Sequence, residues 1–159
     1  MSENSAIISH WHYLLEGYQQ SSQEFYQLLN QAITFRQIPK IKLHKTSYNE
    51  GGLLSTQREY LRVSRKELVF DICAAPFANS FFISWWLTEK TGCISQIPIL
   101  GHLIRFLAPV TYFKHDTAIM FQELVHSAVM EVIDGITKTK GLRSLSESER
   151  KPMMPGFLK

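Results

Sequence analysis

Apolar side chains recur along residues 6–36 at the spacing of an amphipathic helix. Ser21 and Glu24 have the spacing of a capping box, so the segment is either one continuous helix or two helices that break near Gly17. Because the apolar periodicity crosses Gly17, it favours the continuous helix. The positions that define the predicted buried face are Ile7, Trp11, Leu14, Leu15, Tyr18, Phe25, Leu28, Leu29 and Ala32.

Four segments that follow Pro39 have the composition and alternation of β-strands. The first two alternate basic or polar residues with apolar ones, whereas the third is almost continuously apolar and is interrupted by Asp71. A continuous apolar run is typical of a central strand that is covered on both faces. A loop over residues 48–56, a short polar link over residues 65–67 and a turn marked by Pro76 and Asn79 separate these segments. They predict an antiparallel four-stranded meander over residues 40–45, 58–64, 68–74 and 80–87.

Residues 92–113 form the most apolar stretch of the chain and have nearly the length of a membrane span. Arg105 lies near the middle of this stretch, and burying it in lipid would cost at least about 2.5 kcal/mol. We therefore reject a transmembrane helix. The stretch is either a short helix or an irregular crossover punctuated by Pro98, Gly101 and Pro109, and we favour a short helix over residues 99–107.

A long helix is predicted to begin at an N-cap formed by Asp116 or Thr117 and to run to Lys140, with Gly141 as its C-cap. Its apolar residues cover more than half of the circumference, which predicts packing on more than one side. The predicted fold class is therefore α+β. A small antiparallel sheet of about four strands packs with an N-terminal amphipathic helix and this long C-terminal helix.

The final residues are predicted to lie outside the main unit. Ser146 and Glu149 have capping-box spacing and are followed by two prolines, which indicates one short helix and an extended end. We divide the chain into a single α+β domain over residues 1–145 and a short helix with an extended C-terminal tail over residues 146–159.

Composition and charge narrow the class of protein. The 159 residues are 45% hydrophobic and 12% aromatic, which is the composition of a folded domain. A net charge of +3 is too mild to favour nucleic acid as a partner. Cys73 and Cys93 have no second pair, and the first residues lack the pattern of a signal peptide, so we expect free thiols and a cytoplasmic location.

No motif in the sequence names a reaction. Patterns of the types GxSxG, HExxH, Walker A and GxGxxG do not occur. Glu123 and His126 have the i, i+3 spacing of a helical metal site, but such a site needs a second pair of this kind, which the chain lacks. We therefore expect no metal, no cofactor and no assigned catalytic residue, and whether the protein is an enzyme stays open.

The remaining histidines and cysteines also have simpler interpretations. On the predicted N-terminal helix His10 and His12 point to nearly opposite sides and cannot chelate a metal together. His115 and Asp116 resemble a base with its orienting carboxylate, but Asp116 already has a role as the predicted N-cap. Cys73 lies in an apolar strand, where burial keeps a thiol neutral.

Two surface patterns are more informative. Basic residues project opposite to the apolar residues on the first two predicted strands, so one sheet face is basic and contains an aromatic ring if these strands are neighbours. This face is either simply solvated or binds anionic lipid headgroups, nucleic acid or an acidic protein. Its residues are Lys40, Lys42, His44, Arg58, Tyr60 and Arg62.

The second pattern is aromatic. On the fourth strand neighbouring aromatic residues must point to opposite sides, so both faces of that strand are aromatic. Either both faces are covered within the domain, or one is left for a partner or a membrane. The predicted binding surface consists of Phe81, Phe82, Trp85, Trp86, Ile104, Phe106 and Leu107.

These patterns predict a non-enzymatic interaction protein, either an adaptor or a small structural subunit, that docks through its aromatic apolar surface. The predicted partner is another protein or a second copy of the chain. Peripheral contact with an anionic membrane is a second form of the same hypothesis. The alternative is an enzyme or a small-ligand carrier with a pocket between the sheet and the long helix.

Overall fold

The computed structural model describes residues 5–49, 57–90 and 112–153. In these ranges five strands lie in one antiparallel sheet with the order β1-β5-β4-β3-β2, together with two helices. The predicted α+β class is confirmed, although the sheet has five strands rather than about four. The elements in chain order are β1 (Ser5–Glu16), α1 (Ser22–Phe35), β2 (Lys42–Asn49), β3 (Gln57–Arg65), β4 (Leu68–Phe77), β5 (Ser80–Lys90) and α2 (Tyr112–Lys140).

The fifth strand is β1, which occupies part of the predicted N-terminal helix. The prediction of a continuous helix over residues 6–36 is therefore wrong before Gly17. Trp11 and Leu15 are four residues apart, and this spacing fits one face of a helix as well as one face of a strand. Hydrogen bonding to β5 selects the strand, and a bulge between Ile7 and Ser9 shifts its register.

The alternative of two helices that break near Gly17 is right about the position of the break, but the element before it is a strand. Gly17 has a φ of +66°, a conformation that glycine adopts readily, and it lies directly after β1. The Ser21 hydroxyl accepts a hydrogen bond from the Gln23 backbone N–H (3.2 Å), which confirms Ser21 as an N-cap. Helix α1 then buries Phe25, Tyr26, Leu29, Ala32 and Ile33.

The four predicted meander strands are confirmed as β2 to β5, and each is longer than its predicted segment. The start of the first one differs, because Lys40 has a φ of +59° and precedes the strand, which begins at Lys42. Tyr26 ties α1 to two strands, since its hydroxyl donates to the Glu59 carbonyl (2.8 Å) and accepts from the Ala74 N–H (3.0 Å). Its burial raises the pKa of Tyr26 well above the ordinary value for a tyrosine.

Helix α2 ends where the sequence predicts and begins earlier. Gly141 has a φ of +65°, and Leu142 N–H donates to the Thr137 carbonyl (2.9 Å), which is the hydrogen bond of a Schellman C-cap. The helix already includes Tyr112, so the prediction that Asp116 or Thr117 is its N-cap is wrong. The short helix predicted over residues 99–107 lies outside the described residues.

Both helices pack on the same face of the sheet and form the core with it. The C-terminal end of α1 lies beside the middle of α2, because Arg36 bonds to Ser127 (3.2 Å) and Glu131 (2.8 Å). Completely buried members of this core include Phe25, Leu29, Ile33, Val63, Phe70, Ile72, Phe81, Ile83, Trp85, Leu87, Val125, Val129 and Ile133.

The C-terminal residues as far as Met153 pack against the domain. Met153 exchanges two backbone hydrogen bonds with His10 of β1 (3.0 and 2.7 Å), and Leu145 is buried in the core. The capping-box prediction is confirmed in its hydrogen bonds, since Ser146 N–H donates to Glu149 (2.7 Å) and Glu149 N–H donates back to the Ser146 hydroxyl (3.4 Å). They close a turn at residues 147–150 rather than the predicted short helix.

Candidate interaction face

The two faces of the sheet differ in what covers them. Alternate residues of each strand point toward α1 and α2, and the others form the opposite face, which we name the helix-free face. One continuous cross-strand row shows its character. The strand register places His10 beside Trp86, Trp86 beside Asp71, Asp71 beside Arg62 and Arg62 beside His44.

The predicted aromatic surface is divided between the two faces. Phe81 and Trp85 point into the core and are 0% exposed, so they are not available to a partner in this structure. Phe82 and Trp86 are half-buried and belong to the helix-free face. Ile104, Phe106 and Leu107 lie outside the described residues.

Strand β1 adds two histidines and a leucine to the aromatic side of the helix-free face. The His10 imidazole stacks on the Trp86 indole with 4.7 Å between ring centroids and an interplanar angle of 13°. His12 stacks more loosely on Phe82 at 6.5 Å, and Leu14 beside Phe82 is 41% exposed. We name His10, His12, Leu14, Phe82 and Trp86 the aromatic half of the face.

The prediction that His10 and His12 point to opposite sides is wrong, because it assumed a helix. Residues i and i+2 of a strand share a face, and the two imidazole centroids lie 6.2 Å apart. His10 is buried, and its Nδ1 atom has no hydrogen-bond partner among the described residues. Burial, with a smaller contribution from His12, lowers the pKa of His10 and favours the neutral imidazole.

The predicted basic residues share the other side of the helix-free face, with one exception. Strands β2 and β3 are neighbours as the prediction required, and their register places the side chains together. Lys42, His44 and Arg58 are exposed, whereas Tyr60 and Arg62 are half-buried. Lys40 is exposed but lies in the turn before β2. We name Lys42, His44, Arg58, Tyr60 and Arg62 the basic half of the face.

A salt-bridge cluster joins the two halves. Arg62 donates to both carboxylate oxygens of Asp71 (Nε to Oδ1 2.6 Å, Nη2 to Oδ2 2.7 Å), and the Tyr48 hydroxyl donates to Oδ2 (2.9 Å). The cluster borders a hollow of about 490 Å³ whose lining also includes Val69 and Thr88. Hydrogen bonding to Asp71 raises the pKa of Arg62, and burial is the main reason that the pKa of Tyr48 is raised.

Pairing with Arg62 compensates the charge of Asp71. The geometry is bidentate, and the side chains of Arg62 and Asp71 are only 21% and 13% exposed. The surplus positive charge on this face therefore comes from the exposed residues around the cluster, chiefly Lys42 and Arg58. This distribution leaves the face apolar at one end and cationic at the other.

Both imidazole nitrogens of His126 are engaged in hydrogen bonds, so its i, i+3 spacing from Glu123 serves packing in this structure. The Trp85 indole N–H donates to His126 Nδ1 (3.1 Å), which leaves the imidazole proton on Nε2 to donate to the Arg150 carbonyl (2.7 Å). Burial lowers the pKa of His126, in agreement with this neutral form. His126 therefore links the core to the C-terminal segment.

The other candidate groups within the described residues lie on different elements, Cys73 on β4 and the neighbours His115 and Asp116 on α2. Cys73 is buried on the helix-free face, and burial raises the pKa of its thiol. His115 and Asp116 are exposed on the early turns of α2, and Cys93 lies outside the described residues. Within residues 5–49, 57–90 and 112–153, no three His, Cys, Asp or Glu side chains are grouped as metal ligands. Neither described helix combines the length and the hydropathy needed to cross a bilayer.

No protein-family model, curated protein or solved structure matches this chain. The interpretation of the helix-free face therefore depends on its own geometry and chemistry.

The contribution of β1 is what sequence reasoning missed. Residues 10–15 alternate between His10, His12 and Leu14 on one side and Trp11, Tyr13 and Leu15 on the other, which is a period of two. This alternation was the available signal, and the helical spacing of Trp11, Leu14 and Leu15 obscured it. The Asp71–Arg62 pair was accessible only once the register of β3 and β4 was known.

Proposed function

We propose that this chain is a non-catalytic interaction protein that binds a segment of a partner protein across its helix-free face. The observation that carries the proposal is the row from His10 through Trp86, Asp71 and Arg62 to His44. It brings the aromatic half and the basic half onto one face, opposite both described helices. The proposal excludes Phe81 and Trp85 from the predicted surface and adds the residues of β1.

The aromatic half supports binding because it is ordered before a partner arrives. Trp86 is held by its stack with His10, and Phe82 is flanked by His12 and Leu14. An aromatic side chain that is already fixed loses little conformational entropy on binding while offering a large contact area. Leu14 adds exposed apolar surface at the edge of this half.

The basic half indicates the chemistry of the partner. Lys42 and Arg58 are exposed and lie on the side of the sheet away from the aromatic half. Asp71 and Arg62, whose charges compensate each other, lie between these two cations and the aromatic half. We therefore infer a partner segment that carries apolar side chains over β1 and β5 and carboxylates over β2 and β3. An acidic peptide fits better than nucleic acid, because a net charge of +3 is small for phosphate recognition.

The alternative of an enzyme or carrier needs a pocket between the sheet and α2, and the side chains there argue against it. Phe70 and Phe121 meet edge to face with centroids 5.4 Å apart, and Val125 and Ile133 are 0% exposed. These residues fill the described part of that space. We therefore prefer a binding protein to a catalyst or carrier.

The experiment replaces Phe82 with the photo-crosslinking residue p-benzoylphenylalanine in the native cells. The matched control carries the same residue at Met120, which is 56% exposed on α2, and α2 packs on the opposite face of the sheet. After irradiation we expect an adduct with a protein at position 82 and not at position 120. Adding Lys42→Glu and Arg58→Glu to the Phe82 variant should reduce the yield of that adduct.

The chemical nature of the adduct decides between partner classes. An adduct that nuclease shortens, or that contains only lipid, would contradict the proposal of a protein partner. Equal adducts at the two positions, or an adduct that is insensitive to both charge reversals, would contradict the assignment to the helix-free face. Mass spectrometry of the crosslinked peptide identifies the partner segment, which we expect to contain both apolar and acidic residues.

A further inference from the structure

We infer that the chain forms a two-fold symmetric dimer through the outer surface of its two helices. This surface lies on the opposite side of the molecule from the helix-free face, so the inference does not depend on the proposed function. It contains a groove of about 640 Å³ between α1 and α2. The groove is lined by Leu28, Ala32 and Phe35 from α1 and by Glu131, Val132, Gly135 and Ile136 from α2, among others.

The first observation is the exposure of apolar side chains beside this groove. Phe35 is 86% exposed and Leu28 is 41% exposed. The two residues are seven positions apart on α1, so they lie two turns apart on the same side of the helix. The Phe35 side chain projects beside the apolar groove. In a two-fold symmetric contact, Phe35 of each copy can therefore pack against the groove of the other copy.

The second observation is the matching arrangement of charge on α2. Glu131 and Lys138 are also seven positions apart and exposed, with Gly135 between them. The two helices are antiparallel. The hydrogen bond from Arg36 places the C-terminal end of α1 beside Glu131. At its other end the groove is lined by Tyr18, just before α1, and by Lys140, the last residue of α2. Phe35 therefore lies at the Glu131 end of the groove, and Leu28 lies at the Lys138 end.

A single two-fold axis satisfies both patterns. If the axis lies in the plane of the interface, crosses both helices at right angles and is level with the peptide bond between Asp134 and Gly135, it places Glu131 of one copy opposite Lys138 of the other. The same operation places Phe35 opposite Leu28, because the two helices are antiparallel. Each contact occurs twice, as an isologous interface requires.

Gly135 allows the helices of the two copies to approach closely at this axis. It is exposed, and a Cβ atom added there would meet no heavy atom within 4 Å, so the space outside the helix is open at this point. A small residue at a helix crossing lets two backbones come closer than larger side chains permit. The charge pairs on either side then fix the antiparallel direction of the second copy.

Sedimentation of the purified chain tests the dimer. We expect a concentration-dependent species of twice 18.4 kDa. Phe35→Glu should raise the dissociation constant at least about 30-fold, as loss of a central aromatic contact does. Phe35 is exposed, so the variant should keep the melting temperature of the parent when both are measured at a concentration where the parent is monomeric. Met120→Glu is the matched control and should leave the dimer intact.

Charge exchange tests the symmetry. Glu131→Lys and Lys138→Glu each place like charges across the axis, and each should weaken the dimer. The double variant restores opposite charges across the axis and should recover most of the affinity. Lysine at position 131 also faces Arg36 of its own chain, both in Glu131→Lys and in the double variant. Comparing these two variants therefore isolates the contact across the axis. Glu147→Lys, on the exposed C-terminal turn, is the control for net charge.

A disulfide gives a second readout. In a chain carrying Cys93→Ala, Gly135→Cys should form a dimer under mild oxidation that disappears on reduction, whereas Met120→Cys should not. A monomer at all concentrations would overturn the inference. So would a dimer that tolerates Phe35→Glu, a double charge exchange that recovers nothing, or a groove that captures a different protein while the chain stays monomeric.

Discussion

The two faces of the sheet come from the same five strands and have different physical roles. The helix-covered face is packed with aromatic and aliphatic side chains, and its polar atoms have partners, as in the bond from the Trp85 indole to His126. The helix-free face mixes aromatic rings, an ion pair, exposed cations and the buried imidazole of His10, whose Nδ1 has no hydrogen-bond partner among the described residues. Alternation along each strand produces both compositions at once.

This difference indicates where the chain is specialised for stability and where it is suited to recognition. A completely buried face gains free energy from every apolar atom it removes from water and tolerates little change. A half-buried face retains polar and aromatic groups that contribute less to the free energy of unfolding. We therefore expect substitutions in the completely buried face to lower the free energy of unfolding more than substitutions on the helix-free face.

The largest effect is expected for Val129→Asp in α2. Val129 is 0% exposed in the core, so the substitution buries a carboxylate without a partner. We expect a loss of more than about 4 kcal/mol in the free energy of unfolding, enough to prevent soluble expression. Met120→Asp on the exposed side of the same helix is the control, and soluble expression of both variants would show that α2 is peripheral.

A smaller loss is expected for His126→Leu. The variant leaves the Trp85 indole N–H and the Arg150 carbonyl without partners, and each unsatisfied group costs about 1–3 kcal/mol. Chemical denaturation should therefore show a loss of about 2–6 kcal/mol. His12→Leu, at an exposed position on the helix-free face, should change the free energy of unfolding by less than about 0.5 kcal/mol. Similar losses for the two histidines would remove the distinction between the faces.

Asp71→Asn tests the strongest polar contact of the helix-free face. The substitution removes the negative charge that binds Arg62 and accepts from Tyr48, so we expect a loss of about 1–3 kcal/mol. The comparison is Glu59→Gln, whose ion pair with Lys45 is more exposed and contributes at most about 1 kcal/mol. A loss for Asp71→Asn that exceeds the loss for His126→Leu would show that the helix-free face dominates stability.

The smallest effect concerns pH. Burial lowers the pKa of both His126 and His10 below the ordinary value of 6.5, so the unfolded chain binds protons more readily than the folded one. The free energy of unfolding should be highest above pH 6.5 and fall as the pH decreases from 6.5 toward the folded pKa values. Melting temperatures measured across this range should show the fall in the parent and in His12→Gln, and less of it in His126→Leu. A melting temperature that rises on acidification would contradict the assignment of neutral imidazoles.

A second pH window lies lower and belongs to the C-terminal turn. Hydrogen bonding to Arg143 lowers the pKa of Glu149 to about 2 from an ordinary value of 4.5. Stability from this contact is therefore present above pH 4.5 and is lost as the pH falls from there toward 2. The first window begins at pH 6.5 and the second at pH 4.5. Glu149→Gln should therefore leave the decrease in melting temperature just below pH 6.5 unchanged and reduce the further decrease below pH 4.5.

Local pattern was sufficient wherever short-range chemistry decides structure. The alternation in β2 and β3, the apolar run of β4, the N-cap at Ser21 and the C-cap at Gly141 each involve residues close in sequence. The basic half of the helix-free face was predictable for the same reason, since β2 and β3 are consecutive strands with alternating polarity. Strand propensity and turn chemistry contain this information directly.

Tertiary structure alone decided the role of residues 5–16 and the division of the aromatic residues. An apolar spacing of four residues suits a helix and a strand equally, and β1 became a strand because β5, more than sixty residues away in sequence, supplies its hydrogen bonds. The packing of both helices on one face of the sheet buried Trp85 and left Trp86 on the helix-free face. The pairing of β1 with β5 brought His10 onto Trp86, because long-range register, unlike periodicity, is a property of two strands rather than one.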